Sequence, residues 1–151
     1  MNSPAEHKFR DGILAIVYRK FNGESEFLAM HRVKNWTGWE FPKGGTKRGE
    51  SHHQALIREL KEECGIRESE IVSIHPTGND FRIDYPKSLW EKAGFNGALY
   101  KIFNVELKHS VKVTITKNDE PEHDEFRWIK SSEAANYLDK KLSELLNGMD
   151  D

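Results

Sequence analysis

Apolar residues recur along this chain with two periods, and the change from one to the other marks the elements. "GILAIVYRK" (Gly12 to Lys20) is a run of apolar and β-branched residues, and after the turn-like "FNGES" comes "EFLAMHR" (Glu26 to Arg32). The two segments predict a strand pair near the N-terminus. From Ser51 to Cys64 the spacing becomes helical: Leu56, Ile57, Leu60 and Cys64 share one stripe, and Gly65 followed by Ile66 supplies a C-terminal cap. "EIVSIHP" (Glu70 to Pro76) and "ALYKIFNVEL" (Ala98 to Leu107) read as strands again, and between them a strand around Phe81 to Asp84 leads into a loop. "VKVTIT" (Val111 to Thr116) alternates β-branched and polar residues, and "FRWI" (Phe126 to Ile129) is a short strand after the acidic loop "NDEPEHDE". Ser131 or Ser132 then caps a closing helix through "AANYLDKKLSELL", and "NGMDD" forms a frayed tail.

Strands, a helix, more strands and a final helix predict an α/β fold in which helices pack on a mixed sheet. The 151 residues fit one domain, with no internal repeat or linker. Lys and Arg (23) nearly balance Asp and Glu (25), which argues against attachment to nucleic acid by bulk charge but leaves room for a local basic patch. The start lacks a signal-like apolar stretch, and no run approaches the roughly 18 apolar residues of a membrane span, so the expected protein is soluble and cytoplasmic with no membrane partner. The one cysteine, Cys64, lies on the apolar stripe and is expected to be an inert core thiol.

Charge changes the picture at the helix. At about 100° per residue, Glu59, Glu62 and Glu63 fall on one face beside the apolar stripe. Carboxylates so close repel one another unless a cation sits among them, and oxygen ligands in that number suit magnesium or manganese better than zinc. Helix spacing alone equally allows a solvated acidic face partnered by Arg58 and Lys61. The loop before the helix favours the cation: Gly44 and Gly45 let backbone approach a ligand closely, and Lys43 beside them is a point charge suited to a phosphate oxygen.

Gly44, five residues, Glu50, seven residues, and then Arg58, Glu59, Leu60, Lys61, Glu62, Glu63, Cys64, Gly65 and Ile66 match every specified position of the Nudix box, GX5EX7REUXEEXGU, over 44–66. The chain therefore resembles the Nudix hydrolases, and the resemblance implies an α/β/α sandwich with a mixed central sheet spanning residues 1–151. It implies that Glu59, Glu62 and Glu63 ligate Mg2+ or Mn2+ with help from the Gly44 carbonyl, that Arg58 orients the first carboxylate, and that Glu50 supports the loop. The implied reaction is metal-dependent hydrolysis of a nucleoside diphosphate linked to another moiety, with Lys43 neutralising phosphate charge.

Features outside the box bear on the substrate. "WEFPKGG" (Trp39 to Gly45) resembles the lead-in of asymmetric dinucleoside tetraphosphate hydrolases, bacterial RNA 5′-pyrophosphohydrolases and decapping enzymes. "PEHDEFRWI" (Pro121 to Ile129) resembles the late segment of the first two, which implies that Glu122 approaches the metal and Phe126 the base site. Tyr85 corresponds loosely to an aromatic that stacks on adenine, and His31, Arg32 and Lys34 are candidates for the outer phosphates, with a solvated turn as the alternative. Phe41 and Trp128 are expected in the core and His52 and His53 at the surface, while His123 is ambiguous. Glu122 is either a further ligand or the base that deprotonates water, and Glu63 shares the second role as a candidate. The leading expectation is cleavage of diadenosine tetraphosphate to ATP and AMP; the alternatives are removal of pyrophosphate from 5′-triphosphorylated RNA and a silent Nudix fold used for binding.

Overall fold

A computed structural model describes residues 8–115 and 121–149. Strand β1 (Phe9–Phe21) turns through Asn22 and Gly23, both at positive φ, into β2 (Glu24–Arg32), and the two pair antiparallel from Tyr18↔Phe27 to Phe21↔Glu24. That double left-handed geometry matches the twist of a tight hairpin. Beyond this pairing the arms diverge, and residues 38–45 fill the gap. Strand β3 (Gly38–Glu40) pairs with β2, β4 (Lys43–Gly45) pairs with β1, and the Ala15 amide donates to the Pro42 carbonyl at 2.8 Å.

The remaining strands extend the sheet on both sides. β6 (Gly97–Leu107) runs parallel to β1 and carries β5 (Ile71–Asp84) antiparallel on its far edge, while β7 (His123–Ile129) pairs with the free edge of β2. The order across the mixed sheet is therefore β7, β2, β3 with β4, β1, β6, β5.

β1 is buried on both faces from Ile13 to Val17, which explains its continuous apolar run. Ile13, Ala15, Val17, Leu28 and Met30 point to one layer, where they meet Leu56, Leu60 and Cys64 of helix α1 (His52–Cys64). Leu14, Ile16, Phe27, Ala29 and Phe41 point to the other layer and meet Leu138, Leu142 and Leu146. α1 is delimited by its own residues: Ser51 and Gln54 form a reciprocal capping box, and Gly65 at φ 66 closes the C-terminus. Ile57 lies half-buried at the border of the stripe. Cys64 is fully buried, and burial pushes its thiol well above the ordinary range.

Three expectations change. The strand pieces around 70–76 and 81–84 are one strand, β5, whose register shifts between Pro76 and Asp80. Residues 111–115 of the expected "VKVTIT" strand join no sheet: Val111 and Val113 are buried against the α1 layer, and the Thr114 amide donates to the Cys64 carbonyl at 2.8 Å. Thr116 and Lys117 lie outside the described residues, as do 118–120 of the acidic loop and 150–151 of the tail.

The closing helix is also broken in two, α3 (Ala134–Tyr137) and α4 (Lys140–Glu144), because Leu138 is extended. Its cap is Asp139, whose carboxylate accepts the Leu142 amide at 2.9 Å, rather than Ser131 or Ser132. The excursion from Lys87 to Gly97 contains a short helix, α2 (Trp90–Ala93), and is fastened by bonds from Trp90 Nε1 to the Tyr85 carbonyl and from the Tyr85 amide to the Asn96 carbonyl. No helix among the described residues is long and apolar enough to cross a membrane.

Candidate active site

Arg58 organises the start of the site. Its Nε and one terminal nitrogen donate to both oxygens of Glu50 at 2.7 and 2.9 Å, and that terminal nitrogen also donates to the Gly45 carbonyl at 2.9 Å. The other terminal nitrogen donates to Glu59 at 2.8 Å and Glu62 at 3.2 Å. One planar guanidinium thus ties the glycine loop to the acidic helix, which a flexible ammonium cannot do. The Arg58 hydrogen bonds, with the Lys47 amide, hold the Glu50 carboxyl down at about 2.

Glu59 behaves differently. Burial pushes its pKa above the ordinary range, the Arg58 hydrogen bond and charge oppose this, and the like charges of Glu63 and Glu62 push it further up. Gly44 lies directly against it: a Cβ at position 44 would overlap the Glu59 carboxylate. These are the features of a cation cradle, with unbalanced carboxylates meeting glycine backbone that leaves space beside them. Glu63, Glu122 and His123 add a cluster whose ligand atoms all lie within 4.8 Å of one another. The donor set is mostly oxygen and fits a hard divalent ion, with Glu59, Glu62, Glu63, Glu122 and the Gly44 carbonyl as the candidates.

A second network lies behind the first. Glu40 is only 2% exposed, yet it accepts from Lys43 Nζ at 2.6 Å, His123 Nε2 at 2.7 Å and Arg32 at 3.1 Å. Burial would raise its pKa, but the His123 hydrogen bond and the Lys43 and Arg32 charges outweigh that and bring it to about 2. His123 in turn is buried, and its Nδ1 has no hydrogen-bond partner among the described residues. That nitrogen lies 3.7 Å from Glu63 Oε2, a charge contact rather than a hydrogen bond. Burial lowers the His123 pKa, but the Glu40 hydrogen bond and the Glu63 and Glu122 carboxylates leave it raised. Glu40 and His123 therefore connect Lys43 to Glu63 through the middle of the sheet.

The structure brings together Gly44, Arg58, Glu59 and Glu62 at one end of the site, and Glu63, Glu122 and His123 at the other. Arg32 turns inward to Glu40 and lies 3.9 Å from Glu122, with its Nε on the Lys34 carbonyl. His31 is separate from this group. It projects to the opposite face, with Nδ1 2.7 Å from Asp124 and its ring centroid 5.0 Å from that of Trp39.

Phe126 packs into the α1 layer beside Met30, and Tyr85 packs on the opposite layer, so the two aromatics do not face one common space. A cleft of about 490 Å³ opens on Tyr85's side of the sheet, and its wall includes Lys43, Glu40, Phe41, Phe81 and Trp36 but neither Tyr85 nor Phe126. His53 is exposed, and His52 is partly exposed with a 2.9 Å contact to Asp11. Phe41 is fully buried and Trp128 half-buried.

Sequence reasoning missed Glu40. The available signal was its place in "WEFPKGG", where a carboxylate alternates with Trp39 and Phe41 along a strand and must meet inward charges if that strand is central.

The comparisons with known proteins agree with this geometry. Residues 8–147 match the NUDIX domain model. A protein named RNA pyrophosphohydrolase from a Nitratiruptor species is 32% identical over 133 residues, 87% of this chain and 84% of the relative. One of the same name from Campylobacter jejuni is 33% identical over 126 residues, 82% of this chain and 79% of the relative. Among solved structures, a C. elegans Ap4A hydrolase binary complex superposes with a TM-score of 0.72 at 25% identity, covering 91% of this chain and 92% of that one. The E. coli dihydroneopterin triphosphate pyrophosphohydrolase, at 19% identity and a TM-score of 0.71 over 91% of this chain and 93% of its own, shares the fold. With an intact box, the matching fold and relatives spanning most of its length, this chain belongs to the Nudix family as a pyrophosphohydrolase.

Proposed function

We propose that the protein removes pyrophosphate from the 5′ end of triphosphorylated RNA, using Mg2+ or Mn2+ held by Glu59, Glu62 and Glu63 with Glu122 and the Gly44 carbonyl. The observation that carries the substrate choice is the pair of relatives named RNA pyrophosphohydrolase, at 32% and 33% identity over more than four-fifths of the chain. The expectation that ranked dinucleoside tetraphosphate first thus gives way to its alternative. Near-neutral net charge does not oppose this, because the recognised element is the phosphate chain and Lys43 directly precedes Gly44, which lies against Glu59 of the acidic helix.

A bound divalent cation supplies charge neutralisation at the phosphates and makes the attacking water easier to deprotonate. The residues do the rest. Arg58 fixes Glu59 and the glycine loop, and Lys43, anchored to Glu40, presents its charge to the phosphate chain. Glu63 or Glu122 accepts the proton as water oxygen bonds to phosphorus, the bridging P–O bond breaks, and pyrophosphate leaves with the electron pair. His123 serves as a positioning residue for Glu63.

The second reading, asymmetric cleavage of a dinucleoside polyphosphate, is favoured by the C. elegans Ap4A hydrolase likeness. A silent binding module is disfavoured by the intact and mutually repelling carboxylates. The test is a product analysis in magnesium with a short 5′-triphosphorylated RNA and diadenosine tetraphosphate at matched concentrations, using Glu63→Gln as the control. Rapid conversion of the RNA to its 5′-monophosphate, abolished in the control, is expected. ATP and AMP from the dinucleotide with the RNA untouched would transfer the assignment to the second reading.

A further inference from the structure

We infer that Trp36 is the platform on which a nucleobase of the substrate stacks, a role that rests on the nucleotide-hydrolase reading of the neighbouring site. Four tryptophans are present, and three are engaged. Trp39 meets Tyr137 edge-on with ring centroids 5.5 Å apart, Trp90 donates to the Tyr85 carbonyl, and Trp128 lies under Arg19 at 4.1 Å. Trp36 is 45% exposed, and its ring has no aromatic or cationic partner of that kind among the described residues.

The chain holds the indole in place by local geometry. Asn35 takes a left-handed φ of 71° just before it, and Gly38 leaves the space the ring occupies, since a Cβ at position 38 would overlap the indole. The indole is thus folded back over its own turn at the cleft, where Leu14, Phe41 and Leu142 supply an apolar lining and Lys43 a charge.

Continuity with the acidic site gives the cleft its occupant. Lys43 lines the cleft, and the next residue, Gly44, touches the Glu59 carboxylate. A phosphate chain that passes from the acidic helix over Lys43 delivers its nucleoside into the space beside Trp36. A flat indole tolerates any base, because every base offers a π-face. The two aromatics expected from sequence lie elsewhere: Tyr85 and Phe126 belong to opposite layers, and neither lines the cleft.

The test measures binding by titration calorimetry in magnesium of two probes, α,β-methylene-ATP, whose α–β linkage resists cleavage, and inorganic triphosphate, which has no base. Trp36→Ala is expected to weaken the nucleotide analogue roughly 5- to 150-fold, the range of one base–aromatic stack, while leaving inorganic triphosphate unchanged. Trp36→Phe should retain most of the nucleotide affinity. Equal weakening of both probes, or no weakening of the nucleotide analogue, would overturn the inference, as would failure of the parent to prefer the nucleotide over triphosphate. The RNA assay stands apart from this result: a parent that discriminates through Trp36 but leaves RNA intact refutes the RNA reading alone.

Discussion

Replacing Glu40 by Gln keeps the side chain's shape but removes a charge that three cationic or hydrogen-bonding partners enclose. The fall of its pKa from an ordinary 4.5 to about 2, at roughly 1.36 kcal/mol per pKa unit, corresponds to about 3 kcal/mol of native-state stability. The side chain is 2% exposed, so solvent screening does little to reduce this. The size also agrees with the roughly 3–5 kcal/mol lost when one partner of a buried ion pair is removed and the others are left behind. Because the folded pKa is depressed, the contribution is fully present above about 4.5 and disappears as pH falls through 4.5 towards 2. His123 works in the opposite sense: its raised pKa gives stability that is present below its ordinary 6.5 and is lost as pH rises through the folded value. Chelator-treated parent and Glu40→Gln proteins should be unfolded in urea at pH 7 and at pH 3. At pH 7 the midpoint should drop by about 1–3 M, given a slope of roughly 1–3 kcal/mol/M, and the gap should shrink at pH 3. A difference under about 1 kcal/mol at pH 7, or a gap of the same size at both values, would refute the claim that Glu40 is held ionised by this network.

Arg58→Lys retains a positive charge but loses the fork that joins Glu50, Glu59 and the Gly45 carbonyl. Activity titrated with magnesium should require roughly 10- to 100-fold more metal or show a comparable loss of rate, and an unchanged titration curve would reject the positioning role. Gly44→Ala forces a methyl group into the Glu59 carboxylate, so urea unfolding should register about 1–3 kcal/mol of destabilisation together with loss of turnover. Full activity in that variant would mean that the loop can move away from the helix without consequence.

Much of this protein is determined by local rules that its sequence carries by itself. Ser51, Gln54 and Gly65 delimit α1 by bonding to their own neighbours, and the 3.6-residue period then commits Leu56, Leu60 and Cys64 to the sheet and Glu59, Glu62 and Glu63 to its border. Spacing alone likewise puts Arg58 within reach of Glu62, since residues four apart on a helix are neighbours. The doubly buried β1 announces itself by its unbroken apolar run.

What depended on distant pairing stayed hidden. Glu40 meets His123 across 83 positions of sequence because β1 and β2 diverge and admit β3 and β4 between them. No local period encodes that divergence. Phe126 and Tyr85 carry the same aromatic character in sequence, but strand register sends one to the α1 layer and the other to the opposite layer. Val111 and Val113 have the alternation of a strand yet pair with no strand among the described residues and are buried in the α1 layer instead. The chemistry of the acidic helix therefore follows from adjacent residues, whereas the buried charge network behind it and the cleft beside it exist only once the sheet has brought remote segments together.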